Sequence, residues 1–192
     1  MPGATSTRKD FLSILDFDAT DLERCLQLGA RLKAERSLGR QAPTADALDG
    51  RHIALLFEKP SLRTRSTFEI AVHELGGHVM APESAVALGG REPVADVARN
   101  LERWVDGVVI RTFAQKTLEE FAASAKRLHV INALTDQQHP CQAIADFLTL
   151  QERWGSVRGR TIAFIGDGNN VASSVAHAGA TPVACCTTAS GS

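Results

Sequence analysis

The run His52-Ile53-Ala54-Leu55-Leu56-Phe57-Glu58-Lys59-Pro60-Ser61-Leu62-Arg63-Thr64-Arg65-Ser66-Thr67-Phe68-Glu69 decides how the chain is read. Ile53 to Phe57 is unbroken apolar sequence, the pattern of a buried strand. Arg63 to Leu75 has helical spacing, and Gly76-Gly77 closes it. A strand passing so directly into a helix leaves a turn at Ser61. Such a turn aims backbone N–H groups and the positive end of a helix dipole at an anion. Two hydroxyls (Ser61, Thr64) and two guanidinium groups (Arg63, Arg65) sit on it. The planar fork of arginine suits a bidentate grip on phosphate or carboxylate. An arginine pair alone would read as a solvated first turn. Turn, hydroxyls and alternating arginines together indicate an anion site.

The same alternation continues outward. Upstream, Thr20-Asp21-Leu22-Glu23 has capping-box spacing, and the helix it predicts ends at Gly39. Downstream, short apolar strands are predicted at His78–Met80, Gly107–Thr112, His129–Leu134 and Arg160–Ile165. Helices are predicted at Pro93–Trp104, Thr117–Arg127 and Pro140–Trp154, and from Asn169 onward. The first and third of these open on proline, which suits a first helical turn. Ala81 to Glu92, with Gly89-Gly90, is a loop. Strands alternating with amphipathic helices predict an α/β fold: a parallel sheet flanked by helices. Polar residues and Gly155, Gly159 mark a boundary at Gln151 to Gly159. The expected organisation is a domain over residues 1–154, followed by the incomplete start of a second α/β domain over 155–192.

Composition bounds the function. The chain has 192 residues, is 44% hydrophobic and carries a net charge of −1. A chain of this size buries roughly 70% of its unfolded surface and needs no disulfide or metal staple. With no bulk positive field, neither nucleic acid nor a membrane surface is an expected partner. No apolar run reaches the roughly 20 residues that span a bilayer. Residues 1–10 lack the apolar core of a signal peptide. Cys25, Cys141, Cys185 and Cys186 form no C-x-x-C pair, and reduced thiols in a cytoplasm are expected. No histidine has metal-ligand spacing, so no metal is expected.

In a parallel sheet, ligands bind beyond the carboxyl ends of the strands. Those ends carry the Ser61–Arg65 turn, then Arg111. After them come Thr135-Asp136-Gln137-Gln138-His139-Pro140-Cys141-Gln142 and Gly166-Asp167-Gly168-Asn169-Asn170. Alone, Arg111 reads as a surface or ion-pair residue and His139 as a helix cap. Their common placement makes an anion-plus-amide constellation. It is not a P-loop, because no G-x-x-x-x-G-K-[ST] occurs, and no G-x-S-x-G elbow occurs either. Gly166-Asp167-Gly168-Asn169-Asn170-Val171 begins like a dinucleotide fingerprint but ends in Val.

Phe57-Glu58-Lys59-Pro60-Ser61-Leu62-Arg63-Thr64-Arg65 resembles the phosphate loop of the aspartate/ornithine carbamoyltransferases. Ala133-Leu134-Thr135-Asp136 with His139-Pro140-Cys141-Gln142-Ala143, Ala145 and Asp146 resembles their carbamoyl motif. Gly166 to Asn170 resembles the first motif of their amino-acid domain. Asp96-Val97-Ala98-Arg99 and Asp106 to Arg111 follow the same pattern. The likeness runs from about Lys9 to about Ala180 and leans to the ornithine branch. It implies a carbamoyl phosphate-binding domain, with carbamoyl phosphate and L-ornithine as substrates. Citrulline and phosphate would be the products, as in arginine biosynthesis. It also implies a homotrimer, and neither metal nor organic cofactor. By the same likeness the phosphate is held at Ser61, Leu62, Arg63 and Thr64. Arg111 bridges phosphate and carbamoyl oxygen, and His139 donates to that oxygen. Gln142 accepts from the carbamoyl NH₂, beside Pro140 and Cys141. Asn170 contacts ornithine.

The sequence departs from the family at three places. Leu62 stands where the family often has Thr, and Ala87 where the ornithine branch often has Gln or His. Beyond Ala180 the residues match nothing in the family, and its Ser-Met-Gly and Cys-Leu-Pro segments are missing. A truncated or frame-shifted product is the expectation. A non-catalytic carbamoyl phosphate-binding fragment, or an enzyme acting on acylated ornithine, a diamine or aspartate, stays open as an alternative.

Overall fold

A computed structural model describes residues 9–82, 88 and 90–181. Four of the apolar runs are strands: β1 (His52–Phe57), β2 (His78–Met80), β3 (Gly107–Arg111) and β4 (His129–Leu134). They form one sheet in the order β2-β1-β3-β4, and every pairing is parallel. Six α-helices occur among the described residues. They are α1 (Ala19–Glu35), α2 (Leu62–Glu74), α3 (Val94–Leu101), α4 (Gln115–Ser124), α5 (Pro140–Trp154) and α6 (Asn170–Ala180).

Side chains alternate across the strands, so two cores form. One face presents Ala54, Leu56, Val108, Ile110 and Val130 to α3 and α4, where Leu101, Leu118 and Phe121 fill the layer. The other presents Leu55, Val109 and Ala133, with Phe68 of α2 packed against them. A third cluster joins Leu22 and Leu26 of α1 to Ala143 and Phe147 of α5 and Ala178 of α6. The turn after α2 needs Gly76: its φ is +83°, and a Cβ there would lie 2.9 Å from the carbonyl oxygen of Ala45.

The chain leaves β1 in opposite directions. The segment through α2 runs to β2 on one side, and the chain then crosses to β3 on the other. The crevice beyond the carboxyl ends of β1 and β3 is therefore the topological switch point, where parallel sheets bind ligands. A register irregularity sharpens it. Ile110 pairs with Asn132 but Arg111 pairs with Leu134, so β4 carries one extra residue. Such bulges re-aim the residues beyond them. This one sets Arg111 level with the end of β4, and the N–H of Thr112 donates to the Leu134 carbonyl at 3.0 Å.

Several expectations need correction. The first helix stops at Glu35 rather than Gly39, because the chain tightens into a 3-10 helix over Arg36–Gln41 that Gly39 kinks. The helix predicted from Thr20 starts at Ala19, because Asp18 caps it, accepting from the N–H of Asp21 at 2.8 Å; aspartate is at least as good a cap as threonine. The helix predicted over Pro93–Trp104 is the shorter α3, with Pro93 as its cap. That predicted over Thr117–Arg127 is α4, which starts earlier at Gln115 and stops at Ser124. Arg160–Ile165 is not a strand. At the outer edge of β4 only Phe11 adds among the described residues, as a single bridge to Ile131. The Phe11 N–H donates to the Val130 carbonyl at 2.8 Å, and its own carbonyl accepts from the N–H of Asn132 at 2.8 Å. The Arg160–Ile165 segment pairs with no strand among the described residues, and a single strand without partners is not stable; Ile165 is 96% exposed. The helix that follows, α6, packs on α5 instead. Ala87, Gly89, Cys185, Cys186 and the rest of 182–192 lie outside the described residues.

Candidate functional site

At the end of β1, Ser61 is the N-cap of α2, yet its side chain makes no capping bond. Its Oγ accepts from Nη1 of Arg111 at 3.1 Å, and the same Nη1 lies 3.4 Å from Oγ1 of Thr64. The first-turn N–H groups of α2 thus have no side-chain cap, and the positive end of the helix is open to an anion. Arg63 and Arg65 are exposed on that turn, and Arg63 has no ion-pair partner among the described residues. Leu62 is 83% exposed. Only its backbone is suited to a polar ligand.

The strand ends are tied together. The N–H of Glu58 donates to the Arg111 carbonyl at 2.9 Å, and the hydroxyl of Thr112 donates to the Glu58 carboxylate. Lys59 pairs with Asp136 and lies 4.3 Å above the Phe113 ring. These contacts fix the spacing between the Ser61–Arg65 turn and the end of β4.

The His139–Gln142 segment opens α5. His139 is its N-cap, Pro140 its first residue, and no side chain caps it. A second helix N-terminus therefore opens beside the first. Nδ1 of His139 and Nε of Arg111 are buried without a partner. Oδ1 of Asn132 and Nδ1 of His177 are likewise unpaired, and buried polar atoms are rarely left so; Arg111 and His139 differ in lying at strand ends, where a parallel sheet binds ligands. Burial, then the nearby Arg111 guanidinium, pushes the His139 pKa below its ordinary value, while Asp146 pulls it back. The ring is accordingly neutral at pH 7, and a neutral imidazole donates from one nitrogen only.

The lowered pKa makes stability depend on pH. A folded state that resists protonation is destabilised relative to the unfolded chain as pH falls below the ordinary histidine value of 6.5, until His139 protonates in the fold. By NMR titration His139 is expected to have a midpoint below that of a free histidine. Arg111→Met should raise this midpoint and Asp146→Asn should lower it; the opposite order would contradict the placement of both charges.

Cys141 is no nucleophile. Its thiol donates to the Asn132 carbonyl at 3.4 Å, and burial pushes its pKa up to about 12. The amide of Gln142 donates to Asp146 at 2.8 Å, which fixes the side chain with Oδ1 of Asp146 one turn on. Asn170, in the first turn of α6, donates from Nδ2 to the Thr135 carbonyl at 2.6 Å. Ser61, Thr64, Arg111 and the opening of α5 thus meet at one edge, and Asn170 reaches it from α6. No group of three or more metal-ligating side chains exists among the described residues.

Three residues without an assigned role in the sequence lie behind this edge. Thr135 is fully buried, Gln115 nearly so, and Ser174 holds the backbone N–H of His139 at 2.8 Å. Gln115 had no readable signal: only the earlier start of α4 puts it on the face that carries Leu118, Phe121 and Ala122, where a polar residue needs a buried partner.

Known proteins share this fold. Residues 9–152 match the family described as aspartate/ornithine carbamoyltransferase, carbamoyl-P binding domain. The chain belongs to the aspartate/ornithine carbamoyltransferase family. An ornithine carbamoyltransferase of Thermus thermophilus is 47% identical over 173 residues, covering 90% of this chain and 55% of that protein. The crystal structure of an ornithine carbamoyltransferase from Thermus thermophilus superimposes with a TM-score of 0.85 at 43% identity, over 94% of this chain and 60% of the other. An aspartate transcarbamoylase from Trypanosoma cruzi, solved in complex with carbamoyl phosphate and aspartate, gives 0.78 at 31% identity, over 88% of this chain and 53% of that one. The chain spans about half the length of the curated relatives it matches. In the carbamoyltransferase fold its described residues supply the parallel sheet and the helices around it. No helix among them is long and apolar enough to cross a membrane.

Proposed function

We propose that the edge formed by Ser61–Thr64, Arg111 and His139–Gln142 binds carbamoyl phosphate, and that the protein transfers its carbamoyl group to the side-chain amine of L-ornithine. The observation that carries this reading is Arg111. It is held by Ser61 and Thr64 through Nη1, while its Nε, like Nδ1 of His139, is buried and unpartnered. A ligand with a phosphate at one end and a polar carbonyl at the other suits that gap.

The chemistry fits the donors. The amine nitrogen attacks the carbamoyl carbon, and the carbonyl electron pair moves onto oxygen. When the carbonyl re-forms, the bond from carbon to the phosphate oxygen breaks. Phosphate leaves with the electron pair, and the amine gives up one proton to it. Negative charge gathers first on the carbonyl oxygen, which Arg111 and His139 face, and then on the phosphate, which α2 and Arg63 face. An oriented donor at such an oxygen contributes about 3–4 kcal/mol to the transition state. Holding both substrates in line supplies much of the remainder. Gln142 would accept from the carbamoyl NH₂ through Oε1. Asn170 would offer Oδ1 to the ornithine α-ammonium.

Ornithine is preferred over aspartate as acceptor because curated relatives of this chain are named for ornithine, and the solved structures named for ornithine are 33–44% identical to it against 31–32% for those named for aspartate. A homotrimer, a place in arginine biosynthesis and a cytoplasmic setting belong to the same proposal; the free thiols of Cys25 and Cys141 suit a reducing compartment. A second reading rests on the exposed, unladdered Arg160–Ile165. With no strand there, this chain by itself would be a carbamoyl phosphate-binding fragment without a complete acceptor site.

The test is a product assay with carbamoyl phosphate and, separately, ornithine, acetylornithine, putrescine and aspartate. Citrulline and phosphate in equal amounts would support the proposal. Carbamoyl phosphate binding with no product selects the second reading, and a carbamoylated aspartate as the main product contradicts the choice of acceptor.

A further inference from the structure

We infer that Gln115 is a positioning residue for His139, acting through the hydroxyl of Thr135. The inference rests on the reading of His139 as a donor to carbamoyl phosphate, and it assigns a role to a buried residue 24 positions away in sequence.

Thr135 has one hydroxyl proton and two neighbours that would take it. Oε1 of Gln115 lies 2.7 Å away, and the Gln138 carbonyl 3.5 Å away. Distance decides for Gln115. With its proton so directed, Oγ1 of Thr135 accepts from the N–H of Gln138 at 3.1 Å, and the N–H of Thr135 donates to the Gln138 carbonyl at 2.8 Å. The turn from Thr135 to Gln138 is thereby closed on both sides, and it delivers His139 to the start of α5.

Two further contacts hold the same turn from α6. The Ser174 hydroxyl donates to Oε1 of Gln138 at 2.9 Å and accepts from the N–H of His139 at 2.8 Å. Nε2 of Gln138 donates to Oγ of Ser173 at 3.2 Å. Gln115 itself is anchored beside Asn132, whose Nδ2 lies 3.5 Å from Oε1 of Gln115 and 2.8 Å from the Leu12 carbonyl. The chain of contacts thus runs from buried Gln115, through Thr135 and Gln138, to the backbone of His139. A glutamine at this buried face of α4 is otherwise unexplained: leucine would pack there without a hydrogen-bond requirement.

If Gln115 is replaced by leucine, the Thr135 proton has only the Gln138 carbonyl to turn to. Its Oγ1 then no longer faces the Gln138 N–H, and the turn loosens. The phosphate end of the site, built on α2 and Arg111, is untouched.

The experiment compares Gln115→Leu and Gln115→Glu with the wild-type chain. Glutamate keeps an acceptor for Thr135. Calorimetric titrations use inorganic phosphate and carbamoyl phosphate, and His139 is followed by NMR pH titration without ligand. In Gln115→Leu, carbamoyl phosphate is expected to bind about tenfold more weakly, the size of one hydrogen bond, while phosphate affinity stays within about twofold. The His139 midpoint should move toward that of a free histidine. Gln115→Glu should restore the affinity. Unchanged carbamoyl phosphate affinity and an unchanged His139 titration in Gln115→Leu overturn the inference. So does an equal loss for both ligands that Gln115→Glu fails to rescue, which shows a merely structural role. If the wild-type chain binds no carbamoyl phosphate, the functional reading falls. The ligand-free titration of His139 then still decides the role of Gln115.

Discussion

Arg111→Met is expected to weaken carbamoyl phosphate binding by about a hundredfold or more, with little loss of fold stability. The β3–β4 bulge sets Arg111 beside Leu134 at the switch point. From there Nη1 reaches Ser61 and Thr64, and Nε is left buried and unpaired. A hydrogen bond between charged partners contributes about 1.5–3 kcal/mol. Two such bonds, to phosphate and to carbamoyl oxygen, make a hundredfold loss a conservative figure. Stability should change little because methionine fills the stem volume and removes a half-buried charge that has no carboxylate partner among the described residues. Arg111→Lys should fall between, since an ammonium lacks the planar fork. Affinity within about threefold of wild type in Arg111→Met, measured by calorimetry, would remove this residue from the site.

The largest stability effect is expected at Phe121. It is fully buried on α4, inside the cluster that joins α3 and α4 to the sheet. Its neighbours there include Val108 and Ile110, the strand residues that lead into Arg111. Truncation to alanine leaves a cavity that a close-packed layer cannot collapse into, at a cost of about 3–5 kcal/mol. Domains have only about 5–15 kcal/mol in total. Phe121→Ala should therefore lower the denaturation midpoint markedly, and Phe121→Leu much less. A loss under about 1 kcal/mol for the alanine variant would mean that this layer is not the core.

Much of the fold could be read from residues because parallel strands buried on both faces are written as continuous apolar runs. His52–Phe57, His78–Met80 and His129–Leu134 have the same bounds in sequence and structure. Arg160–Ile165 has the same apolar character, but a strand also needs an edge. This segment finds no partner strand among the described residues, and the presence of a neighbour is a long-range property that local pattern does not contain. Ser61, Arg111 and His139 could be grouped from sequence alone, because each follows a predicted strand and strand ends share one edge of a parallel sheet. That placement could not supply the bulge that levels Arg111 with Leu134, because one extra residue in a strand leaves no mark in periodicity. Nor could it show that Ser61 faces Arg111 rather than capping its own helix. Gln115 was not legible: it lies outside the helix predicted over Thr117–Arg127, and only the earlier start of α4 puts it on the apolar face. The family likeness named the site residues one by one, whereas the hydrogen bonds behind the site explain why Thr135, Gln138 and Ser174 must accompany them.

The central claim is that one carbamoyl phosphate sits between the α2 turn and the start of α5. Isothermal titration of carbamoyl phosphate into the wild-type chain, with inorganic phosphate as competitor, tests it most directly. One site per chain is expected, displaced by phosphate. A folded chain that takes up no carbamoyl phosphate, or takes it up equally well at saturating phosphate, would contradict the account.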